Sequence, residues 1–412
     1  MNTPAPTTRL GAGRYLTAAG LPTDTITTAH ELTTSDGATV SGVLRMLPGS
    51  DTVVTLMHPR QDLTHHVLVP ELVARGYAVW TQGTRSTNND VNLIHEQALL
   101  DVAAGQVFLR DRGFGHRITL GHSGGGTLLA FYHQQAGLSP EQRLTASPSG
   151  RPVDLPSADM PVPHGAVFMA PHPGQGQLLA RLIDPSLSDE TDPLSVDPTL
   201  DPFSEANGYR PAPTPSAYPA EFVDRYRAAQ RARIARIDAE ARTRAADADA
   251  ARRRFKSSAD PADRRAALAP RVLTVYRTDA DLRFTDLSLD PNDRPYGSLF
   301  GRRPDLTNYG LIGFGRFATP DAWLSTWSAN TSNADFLRCA PGVRAPTLFV
   351  ELTGDQACFP HDARAMVGAL GATDKTHTQV AGTHFGGSLH PGEPTGASLA
   401  AVDIGNWLAA RY

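Results

Sequence analysis

The strongest chemical signal in the sequence is a serine set among glycines, in the segment GHSGG at 121–125. Ser123 follows a strand-like run, Arg117–Leu120, and precedes a helix-like run, Thr127–Gln135. Small residues on both sides of a serine let a strand and a helix meet in a sharp turn that leaves the hydroxyl exposed at its tip. We therefore predict that Ser123 is a nucleophile. The plainer interpretation is a serine that caps the N-terminus of the helix.

A serine nucleophile needs a base and a group that orients the base. His384 lies in a glycine-rich loop after the last strand-like run and is the predicted base, with a surface histidine as the alternative. Asp355 lies in the turn after the strand-like run Pro346–Leu352 and is the predicted acid. Glu351 and Asp362 are the other candidates for the acid. We expect Glu351 to point into the sheet and Asp362 to occupy the first turn of a helix, where the dipole favours it.

Acyl transfer also needs N–H groups that bind the negatively charged oxygen of the intermediate. The N–H of Gly124, at the start of the helix, is one predicted donor. The second donor is expected in the loop after the strand-like run Thr52–Met57, where the sequence continues HPRQ. Because Pro59 has no N–H, Arg60 is the first candidate and Gln61 the second.

Further side chains are predicted to contact the substrate. His58 and His172 each follow a strand-like run, so each either edges the pocket or hydrogen-bonds the loop backbone. Residues 295–327 hold seven aromatic residues and five glycines, which predicts a pocket wall or, equally, the hydrophobic core of that segment. The predicted substrate-contacting residues are His58, His122, His172, Phe314, Trp323 and Trp327.

The elements that must position these residues alternate between strand-like and helix-like patterns. In residues 1–171, short apolar runs alternate with segments in which apolar residues recur at helical spacing, and the same rhythm returns over residues 341–412. This alternation predicts the α/β class, with a mainly parallel sheet covered by helices on both faces. The two ranges are predicted to form one domain in two parts.

Residues 172–340 are predicted to be an insertion between these two parts. The stretch Asp184–Pro219 is rich in proline and aspartate and has almost no periodicity. Residues Ala220–Phe255 carry an apolar stripe at helical spacing, which predicts one long helix. Its other face alternates arginines with acids. A solvated face with paired charges is the predicted role of that face, and a basic binding surface is the alternative.

Composition excludes several classes of function. Lys and Arg total 38 against 42 Asp and Glu, so the net charge of −4 offers no excess of positive charge for nucleic acid. Hydrophobic residues make up 40% of the chain, which is enough for a core. We find no apolar run long enough to span a membrane, no apolar signal segment and no metal-ligand spacing. Cys339 and Cys358 flank a strand-like run at opposite ends and are predicted to be free thiols.

The motifs together resemble the α/β-hydrolase superfamily, in its esterase-like form. The matching segments are VVTLMHPR at 53–60, GYAVWTQGTR at 76–85, ITLGHSGGG at 118–126, LFVELTGDQACFP at 348–360 and VAGTHFGG at 380–387. The resemblance implies an eight-stranded, mostly parallel sheet, the triad Ser123, Asp355 and His384, and a mainly helical cap formed by the insertion. The chain departs from the family pattern at Pro59, where glycine is usual, and at Asp355, which directly follows a glycine.

We therefore expect a cap-bearing serine hydrolase that cleaves a carboxylic ester with an apolar or aromatic group. An amidase is the first alternative, and a thioesterase or a carbon–carbon hydrolase would use the same triad. A non-catalytic binding protein is a rival from another class. The expected partner is a small-molecule substrate, with no nucleic acid, membrane, metal or cofactor. The expected location is the cytoplasm, and the oligomeric state is open, with a homodimer as one option.

Overall fold

An eight-stranded sheet is the central element of the computed structural model, which describes residues 20–412. The strands are β1 Ile26–Thr33, β2 Thr39–Met46, β3 Thr52–Met57, β4 Ala78–Gln82, β5 His116–His122, β6 Gly165–Met169, β7 Leu273–Thr274, β8 Phe317–Ala318, β9 Thr347–Gly354 and β10 Lys375–Thr383. Strands β7 and β8 pair with each other, and the rest form one sheet in the order β1-β2-β4-β3-β5-β6-β9-β10. Within this sheet, β2 alone runs in the opposite direction to the other seven strands. The predicted α/β class and mostly parallel sheet are confirmed.

Helices from the two outer parts of the chain cover both faces of this sheet, and further helices lie in the segment between β6 and β9. All helices are numbered in chain order. They are α1 Leu68–Val73, α2 His95–Asp111, α3 Gly124–Ala136, α4 Gln175–Leu182, α5 Ala220–Ser258, α6 Pro261–Leu268, α7 Pro304–Thr307, α8 Pro320–Ala322, α9 Phe336–Cys339, α10 Pro360–Ala369 and α11 Gly396–Ala409. The strand-like runs Thr52–Met57, Arg117–Leu120 and Pro346–Leu352 correspond to β3, β5 and β9. Strand β1 was not predicted, because its side chains are mostly exposed at the sheet edge and show no clear alternation. The short helix α4 was not predicted either.

The core is built in two layers by strands that are buried on both faces. Along β6, Phe168 packs into a cluster with helices α2 and α3, whereas Val167 and Met169 pack into a cluster with α1 and α11. Successive side chains of a strand point to opposite faces, so one strand serves both layers. All six residues of β3 are buried, as expected for a central parallel strand. The loops at the carboxyl ends of these strands therefore project from a rigid base.

The segment between β6 and β9 adds no strand to the large sheet and has a hydrophobic cluster of its own. Helix α5 contributes Ile234, Ile237 and Ala241 to this cluster, which are residues of the predicted apolar stripe. The proline-rich stretch before α5 has little regular structure, only the 3₁₀ turn Glu205–Asn207.

Two further expectations concern the chain as a whole. Among residues 20–412, no helix combines the length and the apolar character needed to cross a membrane. Cys339 and Cys358 are both buried and free.

Candidate active site

Ser123 stands at a sharp turn between β5 and α3. Its φ of 55° lies in the left-handed region, which is strained for any residue other than glycine. The turn is possible only because its neighbours lack side chains. A Cβ on Gly121 would lie 2.5 Å from Cα of Gly126, and a Cβ on Gly125 would overlap the carbonyl oxygen of Met57. The strand and the helix thus meet closely and hold the serine at the tip of the turn.

The turn brings Ser123 to His384, which lies after β10. The distance from Ser123 Oγ to His384 Nε2 is 2.9 Å, so the hydroxyl can donate to the imidazole. On the other side of the ring, Nδ1 lies 2.9 Å and 3.0 Å from the two carboxylate oxygens of Asp355. Both His384 and Asp355 are buried. The three residues predicted as a triad are therefore joined by hydrogen bonds in the order serine, histidine, aspartate.

The direction of the Asp355 carboxylate is set by its own turn. Its Oδ1 accepts hydrogen bonds from the backbone N–H groups of Ala357, at 2.6 Å, and Cys358, at 3.0 Å. The backbone carbonyl of Asp355 accepts from the side-chain amide of Asn292 at 2.8 Å. The turn is thereby tied both to its own loop and to the long segment before β9.

The two alternative acids lie elsewhere. Glu351 accepts hydrogen bonds from His377 and Gln379 on the neighbouring strand β10, each at 3.0 Å. Asp362 forms an ion pair with Arg181 of α4. Neither carboxylate hydrogen-bonds the predicted base, so the geometry favours Asp355.

The structure argues against Arg60 and Gln61 as oxyanion donors. Both of their backbone N–H groups donate to Nδ1 of His58, each at 3.0 Å. A donor engaged in this way is not free for a substrate oxygen, which corrects the expectation drawn from the sequence. The N–H of Gly124 remains available, because the first residue of a helix has no acceptor within the helix.

The prediction that His122 contacts the substrate is also corrected, because both of its ring nitrogens hydrogen-bond protein groups. Its Nδ1 lies 2.9 Å from Nε2 of His66, and its Nε2 lies 2.8 Å from the carbonyl oxygen of His384. Burial holds the pKa of His122 well below its usual range, with smaller contributions from the neighbouring histidines. The neutral ring thus supports the backbone of the predicted base instead of contacting substrate.

His58 and His172 both hydrogen-bond the loop backbone, which is the second of the two roles left open by the sequence. Each uses Nδ1 to accept backbone N–H groups of its own loop, in the case of His172 from Gly174 at 3.1 Å. Each places Nε2 beside the Cα of Gly124. Burial, with repulsion from His384 and other positive groups, lowers the pKa of His172 to about 3, and burial likewise lowers that of His58 well below its usual range.

The predicted aromatic residues divide between two places. Phe314 and Trp327 both pack against the guanidinium of Arg60, whose Cζ lies 5.0 Å from each ring centre. Trp323 does not share this contact. Its Nε1–H donates to Asp238 of α5 at 2.7 Å inside the cluster of the long segment. Its prediction as a substrate contact is corrected to a structural role.

One residue of the site was missed from the sequence. Gln175, the first residue of α4, is 2% exposed, yet the nitrogen of its side-chain amide has no hydrogen-bond partner within the described part of the chain. The rule that open sheets bind ligands at the carboxyl ends of strands points to the segment after β6 but not to this side chain. Within the same described range, no three His, Cys, Asp or Glu side chains are arranged to hold a metal ion.

Comparisons with known proteins give matches in structure only. No protein-family model and no curated protein matches the sequence. The esterase domain of a Rhodothermus marinus protein is 11% identical, with a TM-score of 0.43 over 93% of this chain and 98% of that chain. An esterase of Pyrococcus furiosus is 10% identical, with a TM-score of 0.41 over 97% and 96%. An alpha/beta fold family hydrolase from Bacillus anthracis is 10% identical, with a TM-score of 0.41 over 93% and 99%.

The fold assignment follows from the chain's own topology. The second strand alone is antiparallel, the third and fourth strands are exchanged in the sheet order, and a serine stands at the sharp turn after the fifth strand. This arrangement places Ser123 at the carboxyl edge of the sheet, as the nucleophile-turn pattern requires. The chain has the α/β-hydrolase fold.

Proposed function

We propose that this protein is a serine hydrolase that cleaves a carboxylic ester. The observation that carries the proposal is the hydrogen-bonded line from Ser123 through His384 to Asp355, with the serine on a strained turn. A serine hydroxyl is a weak nucleophile unless a positioned base removes its proton. Here the base is in contact with the hydroxyl, and the acid holds the base in the tautomer that can accept this proton.

In the first step, Oγ of Ser123 bonds to the ester carbonyl carbon. The hydroxyl proton passes to Nε2 of His384, and the electron pair of the carbonyl bond moves onto its oxygen. Asp355 stabilises the charged imidazolium that results. When the carbonyl bond re-forms, the bond to the alcohol breaks, and His384 returns the proton to the departing alcohol.

In the second step, water takes the place of the serine hydroxyl. His384 removes a proton from water as the water oxygen bonds to the acyl carbon. Collapse of this second intermediate breaks the bond to Ser123 and returns the proton to Oγ. The products are a carboxylic acid and the free enzyme.

We further propose that residues 172–340 act as a cap that selects an apolar or aromatic substrate. Leu178, Leu182 and Leu299 of this segment pack with Phe359 and Phe385, which lie in the loops that carry the acid and the base. Phe314 packs against the same cluster and, like Trp327, also contacts the guanidinium of Arg60. Apolar groups packed on the catalytic loops favour an apolar acyl or alcohol group.

The test is a panel of p-nitrophenyl esters, anilides and thioesters, assayed with the wild type and with Ser123→Ala. We expect ester hydrolysis, with loss of turnover and of fluorophosphonate labelling in the variant. Ser139→Ala is the matched control, because its hydroxyl is exposed and bonds only nearby side chains. Turnover or labelling that persists in Ser123→Ala would overturn the proposal. Faster cleavage of anilides than of esters would assign an amidase.

A further inference from the structure

Three side chains of the site have no role in the mechanism above, although their nitrogens surround the residue after the nucleophile. His58 follows β3, His172 follows β6, and Gln175 begins α4. A Cβ built on Gly124 would lie 2.9 Å from Nε2 of His58, 3.1 Å from Nε2 of His172 and 2.5 Å from Nε2 of Gln175. Nitrogens from two separate connections, the loop after β3 and the one that leads from β6 into α4, thus converge beside one glycine.

Backbone hydrogen bonds decide which ring nitrogens carry protons. Nδ1 of His58 accepts from the N–H groups of Arg60 and Gln61, and Nδ1 of His172 accepts from the N–H of Gly174. An imidazole nitrogen that accepts must keep its lone pair, so the proton of the neutral ring lies on Nε2. Because burial strongly lowers the pKa of both rings, they are neutral at pH 7. Both therefore present an Nε2–H donor towards Gly124.

Gln175 adds a donor that nothing in the described chain uses. Its amide is buried, and its nitrogen has no hydrogen-bond partner there. An unpartnered buried amide destabilises the folded protein, so such a group indicates a ligand that completes the hydrogen bond. A cation is a poor ligand here, because all the converging groups are donors and the guanidinium of Arg60 repels positive charge on both histidines.

We propose that the side chains of His58, His172 and Gln175, together with the N–H of Gly124, form the oxyanion pocket of this enzyme. The proposal rests on the proposed function, since it assigns the groups that receive the carbonyl oxygen. When Ser123 bonds to the carbonyl carbon, the electron pair moves onto that oxygen, and neutral N–H groups meet the charge. No proton is transferred to or from these side chains. Donors fixed before the charge develops stabilise the intermediate most.

This pocket replaces the backbone donors that the sequence predicted after β3. The N–H groups of Arg60 and Gln61 donate to Nδ1 of His58 and orient its ring. The Nε2–H of His58 is then the donor that faces the substrate oxygen. These two backbone N–H groups therefore position the His58 ring and do not contact the substrate oxygen themselves.

The experiment uses Gln175→Met and His172→Leu, which remove one donor each and leave the His58 loop intact. We expect kcat to fall about 10²-fold in each variant, with a much smaller change in KM. The inhibition constant of a trifluoromethyl ketone, which forms an oxyanion on Ser123, should rise in proportion. His172→Gln should recover part of the loss, because its amide N–H can replace Nε2–H. Gln177→Met is the control: its amide, on the same helix, donates to Asp335 at 2.8 Å.

The result separates this inference from the proposed function. If Ser123→Ala is inactive while Gln175→Met and His172→Leu retain kcat within about twofold, the oxyanion donors lie elsewhere and the inference is wrong. If Ser123→Ala stays active, the proposed function fails instead. Should the variants fail to fold, the wild type labelled with ¹⁵N-histidine still decides. The ketone adduct should shift the Nε2–H resonances of two histidines besides His384, and an adduct that shifts none of them would overturn the inference.

Discussion

The sheet and the long insertion bury different kinds of residue. In the described chain, the buried histidines lie in the sheet part, on its strands, loops and covering helices, except His172, which is the first residue of the insertion. Residues 173–340 contain no histidine. The insertion instead buries five arginines, whereas the sheet buries only Arg45 and Arg117. The five are Arg233, Arg277, Arg283, Arg294 and Arg316. Buried histidines, which can gain or lose a proton, are therefore typical of the sheet part. Buried arginines, which stay charged and donate to carbonyls and carboxylates, are typical of the insertion.

The buried arginines of the insertion give a structural role to part of the chain's high arginine content. Of the 38 basic residues, only Lys256 and Lys375 are lysines. Arg294 donates to the backbone carbonyls of Arg283, Asp286, Leu289 and Asp290. A planar guanidinium can satisfy several acceptors at once, which an ammonium on a flexible chain cannot do as well. In an insertion with little regular structure, buried carbonyls need such donors. The contrast therefore predicts effects on catalysis in one region and on stability in the other.

The largest expected effect is on catalysis, from Asp355→Asn. The amide keeps the shape of the carboxylate but donates to His384 Nδ1, which favours the tautomer that cannot accept the serine proton. By analogy with the same change in another triad, kcat should fall about 10⁴-fold for the best p-nitrophenyl ester. Thermal unfolding should change little. Glu351→Gln is the control and should keep kcat within about tenfold. Equal losses in both variants would mean that Asp355 has no special role.

The sequence predicted the elements of the sheet region because their signals are local. The strand β3 was predicted with its observed bounds, since a central parallel strand reads as one short apolar run. The turn that holds Ser123 needs small neighbours, so it is visible as a pattern of five residues. The oxyanion donors were not predictable, because the tautomers of His58 and His172 depend on hydrogen bonds within folded loops.

The insertion was predicted less well for a related reason. Helix α5 has a continuous apolar stripe and was predicted almost to its end, at Phe255 rather than Ser258. Trp323 was assigned to a pocket because its ring type suits substrate binding. Its partner Asp238 lies 85 residues earlier in the chain, and no local pattern reveals such a contact. Long-range contacts between polar groups thus decide the fold of the insertion.

A smaller effect, on stability, is expected from Arg233→Lys. The Arg233 side chain is fully buried and donates to both carboxylate oxygens of Glu190 and to the carbonyls of Asp184 and Tyr276. An ammonium cannot reach all four acceptors, so the free energy of unfolding should fall by about 3 kcal/mol. Chemical denaturation with urea measures this change, and kcat of the folded protein should stay within about threefold.

Arg244→Lys is the matched control on the same helix. Arg244 is partly exposed and pairs with Glu240 four residues earlier, so its replacement should cost less than about 0.5 kcal/mol. If both variants lost the same stability, burial of the guanidinium would not be what stabilises the insertion. A large loss of kcat in Arg233→Lys with little loss of stability would instead connect α5 directly to the active site.

The smallest expected effect is on the pH dependence of stability and comes from Asp279→Asn in the insertion. Burial raises the pKa of Asp279 to about 7, against the hydrogen bonds from Thr307 and Ser298 and the charge of Arg316. A carboxyl whose pKa is higher in the folded state than in the unfolded state loses stability as pH rises towards the folded value. Burial of His95 and His133 lowers the pKa of each to about 4. The stability that these neutral histidines contribute is therefore lost as pH falls below about 6.5, where the unfolded state gains protons.

Since asparagine cannot ionise, Asp279→Asn should gain about 2 kcal/mol over the wild type between about pH 5 and pH 8. Measuring the free energy of unfolding at both pH values cancels any constant cost of the new amide. The loss of stability below about pH 6.5 should be the same in both proteins, because the histidines of the sheet region cause it. A gain that is equal at both pH values would show that Asp279 is ionised throughout this range. If the variant and the wild type lost different amounts of stability below about pH 6.5, the two regions would not titrate independently.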